Sequence, residues 1–241
     1  MTPAAAPLSG AGGRAVPQAI RHPVLPQASH PPLLPTEADE AVAKLLGKRT
    51  LLRYFYLQPL ARRFVASVDN LGRQPAPTDL WLLRPAKGEL ALARGRAGEG
   101  GQQISTRGNG RRYEGFVRWV MSTDNARLLA LYERLYPLLQ QSYVELGHPD
   151  GYFNDRLIEV IDQMLATPKP KAPLRVQPAR PDPNRSTPPK PRFEFSDAGL
   201  EGLGTGQKIM LRIGPHNAAQ LASKLKALRA GLVQLSTPGR R

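Results

Sequence analysis

A chain of 241 residues that is 41% hydrophobic and 22% charged can bury one core, with room for a small second lobe. It has no cysteine, which excludes disulfides and thiolate metal sites, and no apolar run approaches the ~20 residues of a membrane-spanning helix. Lysine and arginine (34) outnumber the acids (19) for a formal net charge of +15, distributed as +2 over residues 1–36, +3 over 37–168 and +10 over 169–241.

Residues 1–36 are rich in Pro, Ala and Gly and poor in large apolar groups, so they are expected to be a disordered linker. The start, MTPAAAPLSGAGG, lacks the basic cluster and apolar stretch of a secretory signal. A helical core is expected over 37–168. Its first helix opens with Thr36 as cap and Glu37 and Asp39 in the first turn, presents Ala41, Val42, Leu45 and Leu46, and stops at Gly47. A second helical segment begins near Leu51 and is divided by Pro59. Its continuation turns Leu60, Phe64, Val65 and Val68 inward and Arg62 and Arg63 outward, and Asp69-Asn70-Leu71-Gly72 reads as its end.

Residues 84–112 read as a polar, Gly-rich loop, with short strands possible at Leu80–Leu83 and Leu90–Ala93. Arginine and glycine abound there, but the interleaved aromatics that stack on bases are missing. A short helix follows over 113–122, with Phe116, Val117, Trp119 and Val120 apolar, and Ser122-Thr123-Asp124 caps the next one.

The chain is organised around residues 128–168. Leu128, Tyr132, Leu135, Leu139 and Leu146 recur at helical spacing, and Phe153, Leu157, Ile161 and Leu165 repeat every four residues. Gly147, Pro149 and Asp150-Gly151 supply the turn between them, Asn154 is expected to cap the second helix, and Pro137 to kink the first. The reading is a helical hairpin at the centre of a mainly α, compact domain with a few short strands and long disordered linkers. Residues 169–191 form a Pro-rich linker, with Leu174–Val176 and Phe193–Phe195 as possible extended pieces. Helices over 192–233 are expected to dock on the core, and 234–241 is a basic tail.

Asp155, Glu159 and Asp162 share one helix face, and Lys208 and Arg212 share another, so the two faces are expected to meet. Tyr152, Asp155 and Arg156 form a candidate partner-binding edge at the turn, and Lys208 and Arg212 complete the candidate interaction residues. GLGTGQK (202–208) departs from a phosphate loop, because Gln207 separates Gly206 from Lys208 and Ile209 stands where a hydroxyl should bind magnesium. His148 and Asp150 stand two apart at a turn, no histidines pair at metal-ligand spacing, and no serine sits in a nucleophile elbow. Nothing here points to a catalytic residue, cofactor or metal.

Three segments carry a family resemblance: RRFVASVDNLGR (62–73), YPLLQQSYVELGHPDGYFNDRLIEVIDQMLATP (136–168) and FEFSDAGLEGLGTGQKIMLRIGPHNAAQLASKLKALR (193–229). Together they resemble the bacterial domain-of-unknown-function family 3014, from about Glu37 to Val233. The resemblance implies no activity and no site residues. It does imply a domain outside the inner membrane, behind a membrane-spanning helix and a Pro/Ala-rich linker. The expected function is therefore a non-catalytic interaction or scaffold protein with a protein partner in the cell envelope, on the periplasmic face if an upstream anchor exists and otherwise in the cytoplasm. The basic C-terminal third supports a second reading, weak binding of nucleic acid or another polyanion. An enzyme or small-ligand binder using the 147–156 turn is the third.

Overall fold

The computed structural model describes residues 19–25, 27–74, 80–94, 101–179 and 192–237. Among these, nine helices and four short strands follow one another as α1 (Pro35–Leu46), α2 (Lys48–Tyr54), α3 (Leu60–Leu71), β1 (Leu92–Arg94), β2 (Gln102–Ile104), α4 (Thr106–Ser122), α5 (Asn125–Glu145), α6 (Phe153–Leu165), β3 (Arg175–Pro178), β4 (Phe193–Phe195), α7 (Ala198–Glu201), α8 (Thr205–Arg212) and α9 (Pro215–Gln234). The fold is mainly helical with a small antiparallel sheet.

The local causes of the helix ends are visible. Pro35 occupies the first position of α1, where its missing N–H costs nothing, and Glu37 Oε2 accepts from Leu34 N at 2.9 Å. The carboxylate of Glu37 thus caps α1, in place of the expected Thr36 hydroxyl. Gly47 ends the helix at φ +82°, a conformation other residues resist. Pro59 separates α2 from α3, and Asp124 caps α5 by accepting from Arg127 N at 2.8 Å. α5 runs on through Pro137 to the turn.

One apolar cluster joins α3, α5, α6 and the end of α9. Val65, Leu135, Leu139, Phe153, Ile158, Val160, Ile161, Leu232 and Leu235 are buried in it. Phe153 is fully buried, with the rings of Phe64 and Tyr143 centred 6.0 Å and 5.5 Å away. α9 lies so close to α5 that a Cβ on Gly231 would fall 2.1 Å from Leu129 Cδ1.

A second, smaller core lies under the sheet, whose order is β1-β2-β3-β4. Leu92 pairs with Ile104, Gln102 with Val176, and Val176 with Phe195, so alternate residues on one face bury Ile104, Val176 and Phe195 against Leu211 of α8. This corrects the expected 84–112 loop: β2 and the first two turns of α4 lie inside it, while β1 overlaps the strand expected at Leu90–Ala93. β2 pairs with β1 on one side and on the other with a strand about seventy residues away, a pairing no local pattern announces. Residues 95–100 of that loop lie outside the described residues. The strand expected at Leu80–Leu83 is a single bridge from Leu83 to Phe55. β3 falls within the expected 169–191 linker, of which 180–191 lie outside the described residues, as do 238–241 of the expected tail.

The start of α4 depends on Asn109, which is fully buried. Its Oδ1 accepts from Ala91 N at 3.1 Å, and its Nδ2 donates to Ala91 O at 2.8 Å and Ser105 O at 2.9 Å. Ser105 caps the helix by accepting from Gly108 N at 3.1 Å. α4 packs on Ala91 there, and a Cβ at Gly108 would lie 2.6 Å from Ala91 Cβ.

Of the linker expected over 1–36, residues 1–18 lie outside the described residues. Residue 26 lies outside them as well, Pro35 and Thr36 belong to α1, and residues 19–25 and 27–34 form a strap laid across α5, α6 and the end of α9, with Val24 and Leu33 buried. Composition missed it because its partners come from the other half of the chain.

Gly108→Ala tests the α4 contact. In an open helix the change stabilises by about 1 kcal/mol; here it is expected to destabilise by about 1–3 kcal/mol through overpacking. Gly110→Ala, with nothing within 4 Å of the new Cβ, is expected to be neutral or stabilising. Urea unfolding of the two variants checks the opposite signs.

Candidate functional site

The turn between α5 and α6 is built from the side chains of α5. Gly147, at φ +100°, ends that helix, and Gly151 N donates to His148 O at 3.1 Å. Gln140 then bridges the gap: its Nε2 donates to Gly151 O at 2.8 Å and its Oε1 accepts from Phe153 N at 2.9 Å. Tyr136 Oη donates to the same Gln140 oxygen at 3.0 Å and accepts from Asn154 N at 3.4 Å. The free amides at the start of α6 are therefore met from the neighbouring helix.

This corrects the role expected for Asn154. The residue before α6 is Tyr152, which makes no side-chain cap, and Asn154 is the second residue of the helix, fully buried. Its Oδ1 accepts from Tyr132 Oη at 3.0 Å, and its Nδ2 donates to His22 O of the strap at 2.9 Å.

On one side of the turn the site grips the strap. Asp155 accepts from Arg21 N at 2.9 Å and from His22 N at 2.8 Å, one on each carboxylate oxygen. Tyr152 Oη accepts from Val24 N at 2.7 Å. Further along, Leu25 N donates to Leu235 O at 3.3 Å, His30 Nδ1 sits 3.1 Å from the buried Glu133 carboxylate, and Leu33 N donates to Arg134 O at 3.0 Å.

On the other side lies an ion cluster centred on the buried Asp69 of α3. Its Oδ1 accepts from Arg156 Nε at 2.9 Å, and its Oδ2 lies 2.5 Å from Arg73 Nη2 and 3.5 Å from His148 Nε2. The His148 ring stacks on Tyr143 at 4.3 Å. Arg156 Nη1 also meets Glu159 at 3.1 Å. Burial alone would lower the Arg156 pKa, but Glu159 and Asp69 outweigh it and hold it above its ordinary value. Arg156 therefore faces the core helix α3, away from the exposed edge expected with Tyr152 and Asp155.

The third resembling segment arrives from the sheet side. Thr205 N and Oγ1 both donate to Arg73 O, at 3.1 Å and 2.9 Å. A Cβ on Gly206 would fall 2.9 Å from Met164 Cγ and 3.2 Å from Leu71 O, so the backbone itself packs there. The glycine is present for that approach, and the three segments quoted above converge on the end of α3.

Lys208 and Arg212 are corrected too. Lys208 Nζ binds Glu201, 2.6 Å from Oε1 and 3.1 Å from its carbonyl oxygen. Arg212 Nη2 donates to Phe193 O at 2.9 Å, and its guanidinium lies 5.0 Å from the centre of the Phe195 ring. That face of α8 turns to α7 and β4, so neither residue reaches the acidic stripe. The stripe is met instead by the strap amides at Asp155, by Arg156 at Glu159, and by Arg229 at Asp162, where Nη2 lies 2.8 Å from Oδ2.

Two features escaped sequence reasoning. The burial of Asp69 could have been suspected from an acid directly after the small and apolar residues Val65, Ala66, Ser67 and Val68. Gln140 carries no signal, because a tertiary cap has no spacing rule. A shallow depression of about 310 Å³ lies elsewhere, lined by Arg107, Arg111 and Glu114 of α4 and by His216 and Asn217 of α9. Among the described residues, no three of His, Asp or Glu gather closely enough to hold a metal ion, and no helix is long and apolar enough to cross a membrane.

These features define a mainly helical domain whose polar centre fastens chain segments together through backbone hydrogen bonds and matched ion pairs. The chain belongs to the DUF3014 family of proteins of unknown function, whose model matches residues 60–229. That range holds all three converging segments and leaves the strap and α1 before it. No curated protein and no solved structure matches the chain.

Asn154→Ala is expected to destabilise by about 1–3 kcal/mol for each buried group it leaves unpaired, the Tyr132 hydroxyl and the His22 carbonyl. Thermal unfolding of Asn154→Ala beside Asp150→Ala, an exposed turn position, checks it. Alkaline pH gives a second test. Burial, above all, raises the pKa of Tyr132, Tyr136 and Tyr143. Unfolded tyrosines ionise near pH ~10, so above that pH the folded chain binds more protons. Stability, complete below about pH 10, then falls as pH rises. Tyr136→Phe is expected to make that fall shallower in a pH series of melting temperatures.

Proposed function

We propose that this protein is a non-catalytic helical interaction and scaffold protein of the bacterial cell envelope, and that the first turn of α6 is its clasp for a peptide backbone. One observation carries the reading: Asp155, Tyr152 and Asn154 bind three amides and one carbonyl of residues 21–24 and none of their side-chain polar atoms. A carboxylate accepting two backbone N–H bonds is a charge-assisted contact, stronger than its neutral counterpart. Because backbone groups are common to all residues, the same edge suits any segment presenting that donor spacing. The strap occupies it in cis and competes with a partner at high effective concentration. The ion cluster behind it is internally matched, which suits holding a scaffold rigid. The envelope location is supported by the family resemblance.

Asp155→Ala in the full chain is expected to speed amide exchange at Arg21, His22 and Val24 at least tenfold, reporting an opened strap. Crosslinking in the native host should then change the set or yield of captured partners relative to the wild type. An opened strap with an unchanged partner profile would sink the clasp.

Polyanion binding remains a second reading, favoured by the exposed Arg107 and Arg111 one turn apart beside His216. Glu114 in the same depression offsets part of that charge. Retention on heparin is expected to be weak and to fall steeply between about 50 and 200 mM salt. Arg107→Ala with Arg111→Ala should weaken it further; retention that persists at high salt would contradict a purely electrostatic origin.

A further inference from the structure

A cavity of about 170 Å³ lies among α1, α2, α3 and α5, away from the turn. Its walls include Val42 of α1, Leu51 of α2, Phe64 of α3 and Leu135 of α5, with Phe55 and Leu82 beside them, and one side is open to solvent. Tyr132 alone among the lining residues has a polar side chain, and its hydroxyl is bonded to Asn154 Oδ1. A water needs two to four polar partners to reside in such a space, so this lining favours the apolar part of a ligand, with any polar end left in solvent at the open side. An apolar cavity of about 150 Å³ is large enough to bind benzene. Interiors otherwise pack as densely as organic crystals, and a void of this size forgoes contacts on every side.

Two lining residues, Ala38 on α1 and Ala61 on α3, are small where a larger apolar side chain would fill the space. Five others are half-buried, Leu60, Phe64, Leu128 and Leu131 among them, which gives a small molecule a route in without unfolding. We infer that this cavity is a binding site for a small hydrocarbon group, a ring the size of benzene or a short alkyl chain. The clasp at α6 plays no part in it. The ligand is held by dispersion and by its removal from water, with shape as the selecting feature.

The full chain reports occupancy in two ways. A ligand that binds only the folded state raises the melting temperature with its concentration. Phe55 lines the cavity and meets Trp119 edge-on at 5.5 Å, so occupancy also perturbs tryptophan fluorescence. Benzene and hexanoate, tested separately, distinguish a ring from a chain; a rise with either is the expected result. Ala38→Leu with Ala61→Leu should fill the space, melt no lower than the wild type and abolish the ligand-dependent rise. No rise with either probe in the wild type, or an equal rise in the filled variant, would overturn the proposal. Should the filled variant fail to fold, NOEs in the wild type decide. Contacts from benzene or hexanoate to the methyls of Val42, Leu82 and Leu135 support the site, and contacts confined to other methyls refute it.

Discussion

Asn154 has no access to water, so both ends of its amide must find partners inside the protein. They find Tyr132 on α5 and the His22 carbonyl of the strap, and a segment more than a hundred residues away is thereby fixed to the helical hairpin. The rest of the turn follows from that position. With Asn154 pulled inside, the start of α6 needs another cap, and Gln140 and Tyr136 provide it from α5. Phe153 is set next to Asn154 and points into the apolar cluster, where full burial of the ring carries far more energy than any one hydrogen bond.

The Asp69 cluster plays a different part. Surface pairs contribute about 0–1 kcal/mol each, and a buried pair loses much of its attraction to desolvation. Apolar burial by Val65, Phe153 and Ile161 dominates the stability of this region. The ion pairs join α3 to α6 and to the turn before it, and a buried carboxylate tolerates few arrangements of them. Gly72 shows how tight that junction is: a Cβ there would fall 2.6 Å from Arg156 Nη2 and 3.1 Å from Val160 Cγ2.

The strap gives the hairpin its functional interest. It touches α5, the first turn of α6 and, through Leu25, the residue that ends α9. One short segment therefore couples the start of the described chain to its end across the candidate site. The strap is held by backbone hydrogen bonds and by Val24 and Leu33, whose side chains join the main apolar cluster.

The hairpin and its neighbouring helices were legible in the sequence because helical periodicity, glycine stops and proline breaks act within a few residues. Phe153, the Gly147 turn and the apolar faces of α3 and α9 are of this kind. The sheet was only partly legible, since β2 acquires its partner in β3 from a segment far along the chain. Charge spacing placed Lys208 and Arg212 on one helix face but could not say which way that face would turn; the packing of α8 on β4 and α7 decided it. Composition likewise made residues 19–34 read as linker, because a strap contributes only two buried side chains of its own and takes its hydrogen bonds from Tyr152, Asn154 and Asp155. Local propensity thus determined most of the helical segments, the first two turns of α4 excepted. Tertiary structure decided where the polar groups find partners, because a buried donor or acceptor must be paired wherever in the chain its partner lies.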